Sequence, residues 1–343
     1  MIMQDNNNVS TSQRLNWLSI VRGITIVLVV MYHVRMQDFS TRQNYTFISD
    51  INSIFNPMRM PTFIFVSGAL LYYTRIVKGW GVGRLYHDKI VRVGLPLLFC
   101  TIIGCLSQIV FNGFVKHPHP VTVQTFLLSF VTCEDMPWPH RWYMMELLVL
   151  MSFYPIYVFA IKERWKAAAL GLLIVVLYMF DFTVLVSHNW FYIFSVNQYL
   201  PYFYFGVMAF HYRWWQYLQN YKLALLVAML YVMMYFVPYE LDLLRLLHHF
   251  LGISAMVALG LWLDRLVPQL CSYWSKYVFQ IYMFGIAFQA FVELILWPRF
   301  GNPNLIVPFY VLNILFGLFI PVVISKVVER VPIKLVRLCF GLK

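Results

Sequence analysis

Two ionisable side chains, Arg22 and His33, interrupt an apolar stretch near the start of the chain. The stretch from Trp17 to Met36 has about 20 residues, the length that a helix needs to cross a hydrocarbon core. About three helical turns separate the two side chains, so they leave the helix on nearly the same face, roughly 16 Å apart. Ionisable groups in membrane helices usually face a bundle interior or a water-filled path. The spacing predicts that both line one cavity; the alternative is that Arg22 extends to the inner surface while His33 is hydrated near the outer one.

A histidine at this depth is typical of proton-transfer chemistry, because neutral imidazole takes a proton from an alcohol near pH 7. His33 is therefore our candidate general base. It would either activate a hydroxyl directly or act as a nucleophile that carries the transferred group itself, and the sequence does not separate these mechanisms. Glu293 is the first candidate for the acid that orients His33, and Glu146 is the second. A structural ion pair or polar contact is an equally good interpretation of either carboxylate.

Lys89 and Arg92 are candidate ligands for a phosphate group. They lie three residues apart at the predicted inner start of a helix, where free backbone N–H groups also favour anions. The alternative is that they only fix the topology and bind anionic lipid headgroups.

The composition indicates a polytopic membrane protein. Of 343 residues, 61% are hydrophobic and only 12% are charged, whereas soluble domains have about 25% charged residues. The net charge of +12 is spread over short blocks between apolar runs, which is typical of positive-inside topology and argues against nucleic-acid binding. The five cysteines lack metal-site or disulfide spacing, so no metal site is predicted.

Hydropathy predicts an all-α bundle of about ten transmembrane helices with both termini in the cytoplasm. We expect a single domain over residues 1–343, with a polar tail at 1–16, a basic tail at 326–343 and a long outer loop at 112–141. The predicted spans are 17–36, 53–74, 93–112, 142–161, 167–187, 196–212, 222–239, 245–263, 276–297 and 305–325.

Several short motifs, in order along nearly the whole chain, resemble those of the acyltransferase 3 family of membrane-bound acyltransferases. In that family an Arg or Lys, ten intervening residues and a His form the leading motif, which Arg22 and His33 match. The other resembling segments are Arg59-Met60-Pro61 with Ser67-Gly68, Lys89-Ile90-Val91-Arg92, His140-Arg141-Trp142-Tyr143, Pro201-Tyr202-Phe203-Tyr204-Phe205-Gly206 and Glu329-Arg330-Val331-Pro332.

The resemblance implies a bacterial inner-membrane enzyme that moves an acetyl or other short acyl group from acyl-coenzyme A to a carbohydrate hydroxyl. The acceptor it implies is a surface polysaccharide or a lipid-linked glycan precursor, and no tightly bound cofactor is expected. His33, Arg22 and Glu293 are the expected catalytic residues, and Lys89, Arg92 and Arg22 the expected donor-binding residues. The expected substrate-binding residues are Arg59, Ser67, Trp142 and Glu146.

Two departures from the family pattern keep other functions open. Gly285 stands where the family often has a second histidine, and Arg59 stands where many members have histidine. The alternatives are a transporter or exporter, whose buried Arg, His and Glu would line a central path, and a catalytically silent member of the same scaffold. The sequence does not indicate the oligomeric state.

Overall fold

The computed structural model describes residues 15–37, 45–111, 121–131, 141–180, 190, 193–238 and 241–342. Its regular elements in these ranges are helices, which confirms the all-α class. They are α1 (Asn16–Tyr32), α2 (Thr46–Leu71), α3 (Val82–Lys89), α4 (Leu95–Phe111), α5 (Val123–Val131), α6 (Trp142–Ser152), α7 (Tyr154–Ala160), α8 (Arg164–Tyr178), α9 (Ile193–His211), α10 (Tyr221–Tyr235), α11 (Asp242–Leu266), α12 (Val278–Phe291), α13 (Trp297–Phe300), α14 (Ile306–Glu329) and α15 (Lys334–Cys339).

In the described part of the chain, five helical segments are long and apolar enough to cross a membrane, and α6 with α7 makes a sixth if this pair, bent by 48°, is one span. Helices α1 and α10 are apolar but shorter. Ten spans and cytoplasmic termini therefore stay predictions. The five long segments are Thr46–Ile76, Val82–Val110, Asp242–Leu266, Ser275–Phe300 and Pro303–Glu329.

Three of these long segments contain a π-helical turn: Tyr72–Ile76 after α2, Ile90–Gly94 between α3 and α4, and Val292–Leu296 between α12 and α13. A π turn changes the i→i−4 hydrogen-bond pattern and so re-aims the side chains on either side of it. Two of these turns carry residues with predicted functions, Arg92 and Glu293.

Helix α1 lies at the centre of the bundle, where it packs against α2, α11, α12 and α14. Helices α2 and α9 form another close crossing, in which glycines on both sides allow backbone contact. A Cβ atom at Gly68 would lie 2.1 Å from the carbonyl oxygen of Phe203, and one at Gly206 would lie 2.1 Å from that of Phe65. Only glycine fits at these contacts, so the crossing fixes the rotation of α2 about its axis. The position of Ser67, the residue before Gly68, is fixed with it.

The segment predicted as a basic tail, 326–343, continues as the end of α14 and the short helix α15. This end of the chain packs on α4, and Gln280 of α12 donates a hydrogen bond of 2.8 Å to the carbonyl oxygen of Phe340. Of the long outer loop, residues 121–131 contain the whole of α5, while 112–120 and 132–140 lie outside the described residues, as do 1–14 of the polar tail.

Candidate active site

A cavity of about 180 Å³ opens between α1, α2, α3, α6 and α12, and two cations face it. Arg22 comes from the central helix α1, and Lys89 is the last residue of α3. Among the described lining residues there is no carboxylate; the other polar ones are Ser67, Thr74, Tyr143 and Tyr282. A cavity with two cations, a few hydroxyls and otherwise apolar walls suits an elongated, largely apolar ligand with negative charge at one end.

Arg22 is half-buried and has no hydrogen bond or ion pair to any other described residue. Its charge lies close enough to Tyr143 to act on that hydroxyl. Because a guanidinium stays protonated and an unpaired cation inside a membrane bundle is costly, an anionic ligand would stabilise this arrangement.

A chain of hydroxyl groups fixes the wall of the cavity opposite Arg22. The Ser67 hydroxyl donates to the carbonyl oxygen of Phe63 at 3.1 Å, and its oxygen lies 2.8 Å from the Tyr143 hydroxyl. Since the single proton of Ser67 is used on Phe63, Tyr143 donates to Ser67. Both side chains are thereby held in place, and Ser67 lies on the cavity as well as at the α2 packing face.

Lys89 and Arg92 lie in different environments, although only three residues separate them. Lys89 lines the cavity, whereas Arg92 is exposed and its Nε lies 2.8 Å from the carboxylate of Asp88. Asp88 also pairs with Arg75 at 3.1 Å. The π turn begins at Ile90, between the two cations, so the three-residue spacing of an ordinary helix does not apply.

His33 directly follows the last residue of α1 and lines a separate small cavity of about 10 Å³. Tyr282 lines this cavity as well as the one at Arg22, so the two spaces lie on either side of its side chain. The predicted single cavity is therefore divided in this structure. Both cavities lie beside α1 and share Tyr282 as a lining residue, but neither is lined by both Arg22 and His33.

Gly285 lies on the small cavity where the family often has a histidine, and helix packing explains the difference. A Cβ atom at Gly285 would lie 2.7 Å from the carbonyl oxygen of Gly317 in α14, so a larger residue requires the two helices to separate. One turn further along α12, Gln289 donates a 2.9 Å hydrogen bond to the carbonyl oxygen of Val30 in α1. Gln289 thus provides a polar link between α12 and the end of α1.

Glu293 lies beside the end of α1. Its Oε1 accepts a hydrogen bond of 2.7 Å from the backbone N–H of Arg35 and one of 2.9 Å from the amide of Asn313. These bonds hold the backbone two residues beyond His33. That Glu293 also orients the imidazole or stabilises its charged form stays a prediction.

Glu146 is fully buried in α6, and neither carboxyl oxygen has a hydrogen-bond partner among the described residues. It lies close enough to Tyr143 and Tyr199 to interact electrostatically with both, but it is not among the residues that line the Arg22 cavity. A buried acceptor without a partner costs about 1 to 3 kcal/mol. The predicted contact of Glu146 with substrate therefore stays a prediction, because no described cavity reaches its side chain.

Arg59 and Trp142 lie on the His33 side of the bundle. The buried guanidinium of Arg59 stacks 3.5 Å over the ring of Tyr32 and donates a 3.0 Å hydrogen bond to Asn56. Trp142 stacks on Tyr199 with ring centroids 5.3 Å apart. Both contacts are aromatic packing, and Arg59 thereby supports the residue that precedes His33.

A polar groove of about 530 Å³ lies next to this cluster, between the start of α2 and the segment that follows α1. Tyr32 and Val34, on either side of His33 in the chain, both line it. The other lining residues are mainly amides and hydroxyls: Arg35, Gln37, Ile48, Ser49, Asn52, Ser53 and Asn56. Such side chains suit a ligand rich in hydroxyl groups.

The sequence patterns assigned no role to several residues that shape the site. Tyr282 separates the cavities, and Tyr143 holds Ser67, but both were hidden among many aromatic residues. Buried Arg141 places the start of α6, donating to Thr101 at 2.6 Å and to the carbonyl oxygen of Ser129 at 3.0 Å. Isolated hydrogen bonds of this kind leave no periodic signal in a sequence.

Comparison with known proteins gives one match. A family model described as an acyltransferase domain, that of acyltransferase 3, matches residues 15–326. No curated protein and no solved structure matches the chain. The match includes every residue of both cavities and most of the described helices, and the apolar helices indicate an integral membrane protein. The chain therefore belongs to the acyltransferase 3 family and is a membrane acyltransferase in its general class.

Proposed function

We propose that this protein moves an acetyl or similarly short acyl group from acyl-coenzyme A to a carbohydrate hydroxyl, within a bacterial cytoplasmic membrane. The acceptor in this proposal is a surface polysaccharide or its lipid-linked precursor. The observation that carries the proposal is the convergence of Arg22 and Lys89 on one cavity whose described lining has no carboxylate. Family membership supplies the reaction class, and the two cations supply a reason for an anionic donor.

The cavity walls agree with the shape of the donor. Coenzyme A carries its phosphates at one end and a thioester at the other, joined by a flexible amide-containing arm. In our proposal the phosphates lie at Lys89, the arm follows the apolar wall past Arg22, and the thioester approaches Tyr282. Arg22 and His33 lie roughly 16 Å apart along α1. Arg22 therefore contacts the phosphate or the arm when the thioester is at His33, rather than the reacting oxygen.

The chemistry assigned to His33 is proton transfer to its neutral imidazole. In direct transfer, the acceptor hydroxyl gives its proton to His33 while its oxygen attacks the thioester carbon, and the thiolate then leaves and takes up that proton. In the relay alternative, the imidazole nitrogen itself attacks the thioester and later gives the acyl group to the hydroxyl. Both mechanisms release one free thiol and form one ester.

The polar groove lined by Tyr32 and Val34, the chain neighbours of His33, is our proposed acceptor site. Its amide and hydroxyl side chains can donate to and accept from sugar hydroxyls, and Tyr32 offers an aromatic wall. Glu293 and Arg59 hold the chain on either side of His33 and so position it between donor and acceptor.

Thiol release from acetyl-coenzyme A by the purified protein in lipid nanodiscs tests the proposal. We expect the wild type to release thiol and His33→Ala to release none. We expect Arg22→Gln to need a higher donor concentration for half-maximal release. His249→Ala is a matched control, because its ring contacts Tyr202 and it lines neither cavity. Wild-type protein that is folded but neither binds nor cleaves any of several acyl-coenzyme A donors would favour the transporter or silent-scaffold alternatives.

A further inference from the structure

The largest cavity described lies away from the candidate active site, on the outer surface of α8 and α9. It is a groove of about 650 Å³ with mainly apolar lining. Its walls include the small residues Ala167, Ala168 and Gly171 of α8, and its far side includes Tyr204 and Phe205 of α9. The Tyr204 hydroxyl donates a 2.7 Å hydrogen bond to the carbonyl oxygen of Ala167, which fixes the floor of the groove.

One end of the groove is cationic and aromatic. Arg164, the first residue of α8, lines this end together with Tyr212, Trp214 and Tyr217. The rings of Tyr212 and Trp214 stack with centroids 5.4 Å apart. Tyrosine and tryptophan are typical of the membrane–water interface, so this end of the groove is expected at the level of lipid headgroups.

The neighbouring charges leave Arg164 available. Glu163 pairs with Lys166 at 2.5 Å, and hydrogen bonds from Lys166 and Trp165 keep the pKa of the Glu163 carboxyl below its usual range. Arg164 is exposed and has no ion pair with any described residue. It therefore presents a positive charge at the headgroup end of an apolar groove.

The length of the groove fits one leaflet. From Arg164 to Ile174 the helix rises about 15 Å, which is half of a hydrocarbon core of about 30 Å. An acyl chain that lies along this groove keeps the phosphate of its headgroup beside Arg164. The described residues that line the groove include no carboxylate that would repel this phosphate.

We propose that the groove between α8 and α9 is a binding site for an anionic phospholipid, with its phosphate at Arg164 and one acyl chain along Ala168, Gly171 and Tyr204. The charge complementarity between a cationic groove end and an anionic headgroup selects this occupant. The site does not depend on acyl transfer, because none of its lining residues lines either cavity of the candidate active site.

Native mass spectrometry of the full-length protein tests this site, with phosphatidylglycerol or phosphatidylcholine of the same acyl chains added to detergent micelles. We expect the wild type to retain phosphatidylglycerol about fivefold more than phosphatidylcholine, the equivalent of about 1 kcal/mol for one basic residue. Arg164→Gln removes this preference, whereas Lys162→Gln, a nearby exposed cation outside the groove, keeps it.

A second pair of variants tests the groove itself. Ala168→Leu narrows it and lowers retention of both lipids, whereas Ala169→Leu, the next residue on the same helix and outside the lining, leaves retention unchanged. Unchanged thermal unfolding shows that each variant is folded. Equal retention of the two lipids by the wild type, or full retention by Arg164→Gln and Ala168→Leu, would overturn the proposal. A lipid-free dimer in which a second chain covers this face would overturn it too.

Discussion

Lys89 and Arg92 offer a matched pair of substitutions, because two cations three residues apart occupy different environments. Lys89 lines the cavity that also contains Arg22, while Arg92 is exposed and paired with Asp88. Replacing Lys89 with Gln removes one charge-assisted contact to the proposed donor phosphate, worth about 1.5 to 3 kcal/mol. The dissociation constant for acetyl-coenzyme A should therefore rise about 10- to 150-fold.

Arg92→Gln should change donor affinity by less than about twofold, since the ion pair it loses is exposed and worth about 0 to 1 kcal/mol. The assay is equilibrium binding of acetyl-coenzyme A and of its analogue without the 3′-phosphate, measured in nanodiscs at two salt concentrations. If Lys89 contacts that phosphate, the losses of binding free energy caused by Lys89→Gln and by removal of the phosphate should not be additive. The reasoning is refuted if Arg92→Gln weakens binding as much as Lys89→Gln, or if folded Lys89→Gln binds like the wild type.

Three further substitutions test the packing and the polar contacts around the site. Gly285→His should lower the unfolding temperature, because overpacking against the Gly317 carbonyl costs about 1 to 3 kcal/mol, whereas Gly83→His, whose Cβ meets nothing within 4 Å, should not. Arg141→Ala should destabilise the protein by about 3 kcal/mol in denaturant unfolding, since it leaves the partners of a buried cation unpaired; an unchanged transition midpoint would contradict this. Glu293→Gln keeps an acceptor for Arg35, so folding should survive while thiol release slows about tenfold or more; a rate equal to that of Glu163→Gln, an exposed control, would show that the carboxylate charge is not needed.

The class of fold follows from the sequence, but the number of spans does not. Apolar runs separated by charged or proline-rich breaks predict a helical bundle, and the described chain is helical. The count depends on length, and α1 and α10 are shorter than a full span while α6 and α7 are bent by 48° around Phe153. Hydropathy averages over such bends and short ends, so it cannot separate a broken span from two elements.

The candidate site could be predicted where it depends on one helix, and less well where it depends on local irregularities. The spacing of Arg22 and His33 depends only on helical rise and rotation, and both face spaces beside α12. The different environments of Lys89 and Arg92 could not be predicted, because a π turn starts between them and leaves no signal in the sequence. The meeting of Arg22 with Lys89 needs tertiary packing, which no single helix specifies.

The step in size between the two cavities supports a short acyl group. About 180 Å³ is available at Arg22, but only about 10 Å³ beside His33, where Ile281, Ile286 and Gln289 close the space. An acyl chain that reaches His33 must displace Tyr282 or these side chains, and inserting further methylenes into a packed interior costs about 1 to 3 kcal/mol. Helix α12 cannot move away from His33 at Gly285, because its backbone already contacts that of α14 at Gly317. In the proposed reaction, the contact that leaves no room for a second histidine therefore also limits the size of the acyl group.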